Sequence, residues 1–189
     1  MASVNSYNGP MPTPDKTSLE AIVIAARDLL ETESLTGLTM QAVAQRVGVR
    51  APSLYKRVQG RDHLVRLVAE ATLTELALRL DSATTVAEIV DGYRAFSHSR
   101  PAAFQLCMGP GALPLVSDGS YWQAASAAVI RISGKLAGAD HALEAARTVT
   151  AWAVGFITIE LNSGFNLGGD IDRAWEFGRA SITESITRL

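Results

Sequence analysis

Cysteine is nearly missing from this chain: Cys107 is the only one in 189 residues. An intramolecular disulfide framework is therefore excluded, and a reducing, cytoplasmic setting is expected. Histidine is scarce too. His63, His98 and His141 have no carboxylate or cysteine at metal-ligand or triad spacing, and no glycine-rich phosphate loop is present. These gaps argue against an enzyme and imply no cofactor and no metal. The opening stretch, MASVNSYNGPMPTPDK, carries Pro10, Pro12 and Pro14 but no apolar core, so it reads as neither a secretory signal nor a membrane span. Residues 1–15 are expected to form a flexible arm. Lys16 is the one cation nearby, so disorder is a better reading than DNA contact. Lone Cys107 fits an inert core position or an oxidant sensor.

What the chain does have is helix. With 48% hydrophobic residues it can bury one sizeable core, or a small domain joined to a larger one. The segment from Thr39 to Val58, TMQAVAQRVGVRAPSLYKRV, reads as two short helices around a tight turn. Thr39 is placed to cap the first, Val43, Ala44 and Val47 repeat at helical spacing, and Gly48 sits where a turn needs positive φ. Val49 turns inward. Pro52 is tolerated near the start of the second helix, where Leu54 and Val58 supply an apolar side. Ser53, Tyr55, Lys56 and Arg57 then face outward, as groups entering a major groove would.

Charge is distributed to match. Between Thr39 and Arg66 the cations Arg46, Arg50, Lys56, Arg57, Arg61 and Arg66 are opposed only by Asp62, while the whole chain carries a net charge of -2. The remainder must be acidic. A basic patch on an acidic protein attracts phosphate backbones through counterion release, although taken alone it could equally be a solvated helix face.

The stretch from about Ser18 to Leu80 resembles the N-terminal DNA-binding domain of the tetracycline-repressor (TetR) family of transcriptional regulators. The carriers are SLEAIVIAARDLLETES, LTMQAVAQRVGV, APSLYKRV and QGRDHLVRLVAEA, spaced in that order. The resemblance implies an all-α fold, with an N-terminal three-helix helix-turn-helix domain (16–66) joined by a long fourth helix to a helical ligand-binding and dimerization domain (67–189). It implies DNA contacts by Gln41, Ala51, Pro52, Ser53, Tyr55, Lys56 and Arg57, with Thr39 and Arg50 in the same set and Arg61 at a phosphate. Tyr55 fits equally well half-buried against the first helix. Arg50 stands where a Ser or Thr cap is common, and Lys56-Arg57 replaces an aromatic and a histidine, so the operator sequence is not inherited from the family.

The first helix is expected from Ser18 to about Ser34, with Thr17 and Glu20 in capping-box spacing, and the fourth from Arg61 to Leu80. Further helices are expected over Thr85 to Ser99, from Pro101, over Ser120 to Leu136, after Asp140 to Leu161, and from Asp170 onward. Gly109, Pro110, Gly111 and Pro114 mark an irregular connection. Trp152, Gly155, Ile159, Trp175 and Ile182 are candidates for a two-fold helical interface, or belong to the chain's own core. Tyr93, Phe96, His98, Phe104, Met108, Trp122 and Phe156 are candidate pocket residues or plain core. By resemblance the function is that of a homodimeric repressor on a palindromic DNA operator, released by a small-molecule effector, with no membrane partner. The alternative is an architectural DNA binder without effector.

Overall fold

The structure is a computed structural model that describes residues 18–109, 116 and 118–187. The expected arm, Thr17 and the stretch 110–115 lie outside those residues. Among the described residues the chain is helical throughout, with no strand.

Helix α1, Leu19–Gly37, is capped by Ser18, whose Oγ accepts from the Ala21 amide at 3.1 Å. The cap is thus one residue later than the Thr17 pairing predicted. Ser34, at φ 61°, breaks the helix where its end was expected, and a last turn runs on to Gly37. Helix α2, Met40–Val47, is capped by Thr39 and closed by Gly48 at φ 75°, as the sequence indicated. Helix α3, Ala51–Leu54, is shorter than expected, and a hydrogen-bonded turn carries the chain through Val58. Arg50 supplies no capping side chain, which leaves the start of α3 without the hydroxyl acceptor that stabilises most short helices. Leu54 and Val58 are nonetheless fully buried and anchor both ends of the segment.

Helix α4, Arg61–Leu80, spans both halves of the molecule. Its Leu64, Val65, Val68, Ala69 and Leu73 belong to a core shared with α1, α2 and α3, whereas Leu76 and Leu80 enter a second core. The first core does not stop at the expected boundary near residue 66. Ala103, Leu106 and Cys107 of α6 (Pro101–Met108), Ala125 of α7 (Gly119–Ala137) and Val116 before it close it.

The second core is built from α5 (Val86–Ser99), α7, α8 (Ala142–Leu161) and α9 (Ile171–Thr187). Thr85 caps α5 and Asp170 caps α9, its Oδ1 accepting from the amides of Asp172 and Arg173 at 2.9 and 3.2 Å. Helix α8 with the preceding turn is apolar and long enough to cross a membrane by length and composition. Here one of its faces packs into the second core through Ala145, Ala146, Val149, Ala153 and Ile157.

Candidate functional site

The helix-turn-helix displays its polar side chains because its apolar ones are fixed beneath. Val43, Leu54 and Val58 are fully buried, while Gln41, Pro52, Tyr55, Lys56 and Arg57 are exposed and Ala51 and Ser53 are partly so. Tyr55 is 56% exposed, so about half of its surface is open and half is covered by the fold. Gln45 and Arg46 of α2 are exposed as well. Thr39 and Arg61 also have tasks within the fold. The Thr39 hydroxyl is taken up as the α2 cap. The Arg61 guanidinium donates to the carbonyls of Leu35 and Leu38, the latter at 3.0 Å, and ties α4 to the turn after α1. Arg61 thus has a positioning role within the chain, while it stays exposed at the start of α4, where the phosphate contact was expected. His63 Nδ1 accepts from the Gln59 amide at 3.1 Å and closes the turn before α4.

Several contacts join this domain to the rest. The Glu31 carboxylate of α1 accepts from the amides of Ala102 and Ala103, each at 3.0 Å, and so caps α6 from a distant part of the chain. Asp28 faces Arg100 at 3.6 Å. Arg27 pairs with Glu75 of α4, which also receives Arg79 at 2.7 Å. Burial alone would raise the Glu75 carboxyl, but the hydrogen bonds and charges of the two arginines hold it below the usual carboxylate range. Cys107 is buried on the far side of α6, its thiol against the Ala69 carbonyl of α4 at 3.7 Å. Burial pushes that thiol up to about 12, so it stays protonated near neutral pH and fits the core reading rather than an oxidant sensor. Glu31 carried no signal in the sequence because its partners lie some seventy residues away in the chain.

A cavity of about 760 Å³, open on one side, lies between α6, α7 and α8. Met108 and Trp122 line it, together with Cys107, Ser126, Val129, Ile130, Leu143, Arg147, Thr150 and Val154. The other expected pocket residues are elsewhere. Tyr93, Phe96 and Phe104 are at most 2% exposed and belong to the second core. Phe156 joins an aromatic cluster with Trp152, Phe165 and Trp175. His98 is at the α5 surface, its Nε2 3.2 Å from Glu160.

The expected interface residues also separate. Trp175 is 3% exposed, stacks on Trp152 at 4.9 Å and donates its indole N–H to Asp91 at 2.8 Å, so both indoles serve the chain's own core. Gly178 permits this, since a Cβ there would collide with the Trp152 ring. Ile182 is partly buried against the same core. Gly155 and Ile159 stay exposed on α8, and Phe177 of α9 is 77% exposed. Helix α9 is held by Arg94, which donates to Glu160 at 3.0 Å and Asp172 at 2.7 Å, and by Arg179 on Asp91. The charged groove these residues line is internally compensated.

An exposed basic helix-turn-helix on a long connecting helix, followed by a helical domain with its own cavity, defines a DNA-binding transcriptional regulator. Residues 86–181, about half of the chain, match the family described as Tetracyclin repressor-like, C-terminal domain, and the chain belongs to the TetR family. An HTH-type transcriptional regulator of Mycobacterium tuberculosis is 26% identical over 188 residues, covering 93% of this chain and 81% of that one. The class C tetracycline repressor of Escherichia coli is 37% identical over 60 residues, 32% of this chain and 27% of its own length. Among solved structures, a TetR variant from Acinetobacter baumannii in complex with minocycline superimposes with a TM-score of 0.67 at 23% identity, covering 91% of this chain and 97% of that one. Apo ActR from Streptomyces coelicolor gives 0.71 at 16% identity over 93% and 97%.

Proposed function

We propose that this regulator is a cytoplasmic homodimer that occupies a palindromic DNA operator, represses by that occupancy and is released by a small molecule entering the α6–α7–α8 cavity. The observation that carries the DNA half is the display of Tyr55, Lys56 and Arg57 over a fully buried Leu54 and Val58. Two recognition segments related by a two-fold axis would read half-sites about 34–36 Å apart. Arg57 suits a bidentate guanine contact, Lys56 a base or phosphate, and Ser53 and Tyr55 suit phosphate oxygens.

The route from effector to DNA runs through α6. Its C-terminal end contributes Cys107, Met108 and Gly109 to the cavity wall, its N-terminus is held by Glu31, and Cys107 rests on α4. A ligand that displaces α6 shifts both helices that support the recognition segment, provided it prefers that displaced state. The minocycline complex of the Acinetobacter relative supports a small molecule as the signal.

The test is selection from a random duplex library by the purified protein, with the salt dependence of retention measured alongside. A palindromic motif is the expected result. Salt-sensitive retention without a motif would point to an architectural binder, and absence of retention would defeat the DNA-binding assignment.

A further inference from the structure

The cavity between α6, α7 and α8 has an uneven chemistry. Most of its wall is apolar, with Trp122 and Ile130 on α7 and Leu143 and Val154 on α8. Its polar groups are few, and two are already engaged. The Thr150 hydroxyl bonds the buried Tyr93 phenol, and the Cys107 thiol lies on the Ala69 carbonyl. There remain Ser126 from α7 and Arg147 from α8, facing the same space from two helices. None of the described residues that line it is acidic. Among the described residues Arg147 has no ion-pair or hydrogen-bond partner, although Glu144 lies one turn earlier on the same helix. A guanidinium at the edge of an otherwise apolar cavity offers a planar fork of donors that matches a carboxylate.

We infer that the effector is an amphipathic carboxylic acid, its hydrocarbon or aromatic body against Trp122, Ile130 and Val154 and its carboxylate held by Arg147 and the Ser126 hydroxyl. This rests on the cavity being the effector site. The volume, about 760 Å³, admits a medium-chain or bicyclic acid. Charge selects the headgroup: an amine would meet an uncompensated cation, and a neutral amide would forgo the charge-assisted pair.

The experiment uses the full-length protein and two matched pairs of probes, decanoate with decanamide and 2-naphthoate with 2-naphthamide. Binding is read by calorimetry and by the emission of Trp122, with Trp122→Phe as the optical control, and release is read on the selected operator. In at least one pair the acid is expected to bind roughly ten-fold or more tightly than its amide. Arg147→Gln should abolish that preference by weakening the acid alone, and Arg147→Lys should keep part of it. Equal affinity for acid and amide, unaltered by Arg147→Gln, overturns the carboxylate assignment while leaving the effector site intact if either probe releases DNA. An Arg147→Gln variant that loosens a dimer in sedimentation without changing the acid-to-amide ratio makes Arg147 an intersubunit pair and also overturns it. Should none of the four probes bind, the effector-site reading falls together with this one.

Discussion

Arg57 and Arg61 are four positions apart, and their removal should have different consequences. Arg57→Ala is expected to cost about 1–3 kcal/mol on the operator and to relax selection at one base pair, as seen by repeating the library selection. Arg61→Ala removes donors from the carbonyls of Leu35 and Leu38, so it should lower the melting temperature and weaken all sequences alike. If positioning is its whole role, the slope of log affinity against log salt should stay unchanged, whereas a fall of about one marks the phosphate contact. Cys107 gives a residue-level prediction in pH. The unfolded thiol ionises near about 8.5. The folded one is held protonated up to about 12. Its contribution is therefore complete below the unfolded value and is lost as pH rises through the interval, because the unfolded chain releases the proton first. Denaturant titrations at neutral and alkaline pH should show wild-type stability declining more steeply than that of Cys107→Ala.

At the scale of elements, the Glu31 cap on α6 is open to direct test. Glu31→Ala should destabilise the protein by about 1–3 kcal/mol and expose the amides of Ala102 and Ala103 to hydrogen exchange, with α7 and α8 still protected. Unchanged exchange at the start of α6 would mean that Glu31 does not hold it. Most helices were legible because their signals are local: Thr39, Gly48, Thr85 and Asp170 announce ends, and apolar spacing announces faces. Helix α3 was misjudged in length since Leu54 and Val58 satisfy a helical period although the backbone between them is a turn. The aromatic residues were the least legible. A tryptophan stripe has the same spacing whether it meets another copy or its own core, and only the Asp91 acceptor and the space left at Gly178 settle Trp175 and Trp152. Pocket and core stayed open alternatives in the sequence for a related reason, because large side chains that can line a void can equally fill it, as Tyr93, Phe96 and Phe104 do.

For the whole molecule, the proposed dimer makes the exposed face of α8 its seam. Gly155 probes it, as a Cβ there meets nothing within 4 Å in the single chain and helix propensity favours the replacement; because Gly155 also borders the α6–α7–α8 cavity, dimerization is measured without effector. Gly155→Leu should preserve helicity and melting behaviour of the monomer yet raise the dimer dissociation constant in sedimentation, and operator affinity should fall with it. Wild-type-like dimerization would move the seam off this face. The two cores lead to a different consequence. Ala103, Leu106, Cys107, Val116 and Ala125 lie beyond the recognition unit in sequence yet complete its interior. For protein engineering, this head is not a cassette. A chimaera cut after residue 66 would carry an unfinished hydrophobic surface to its new host, so a transplant that retains its DNA preference must bring α4 and α6 with it, or find in the recipient helices of matching shape.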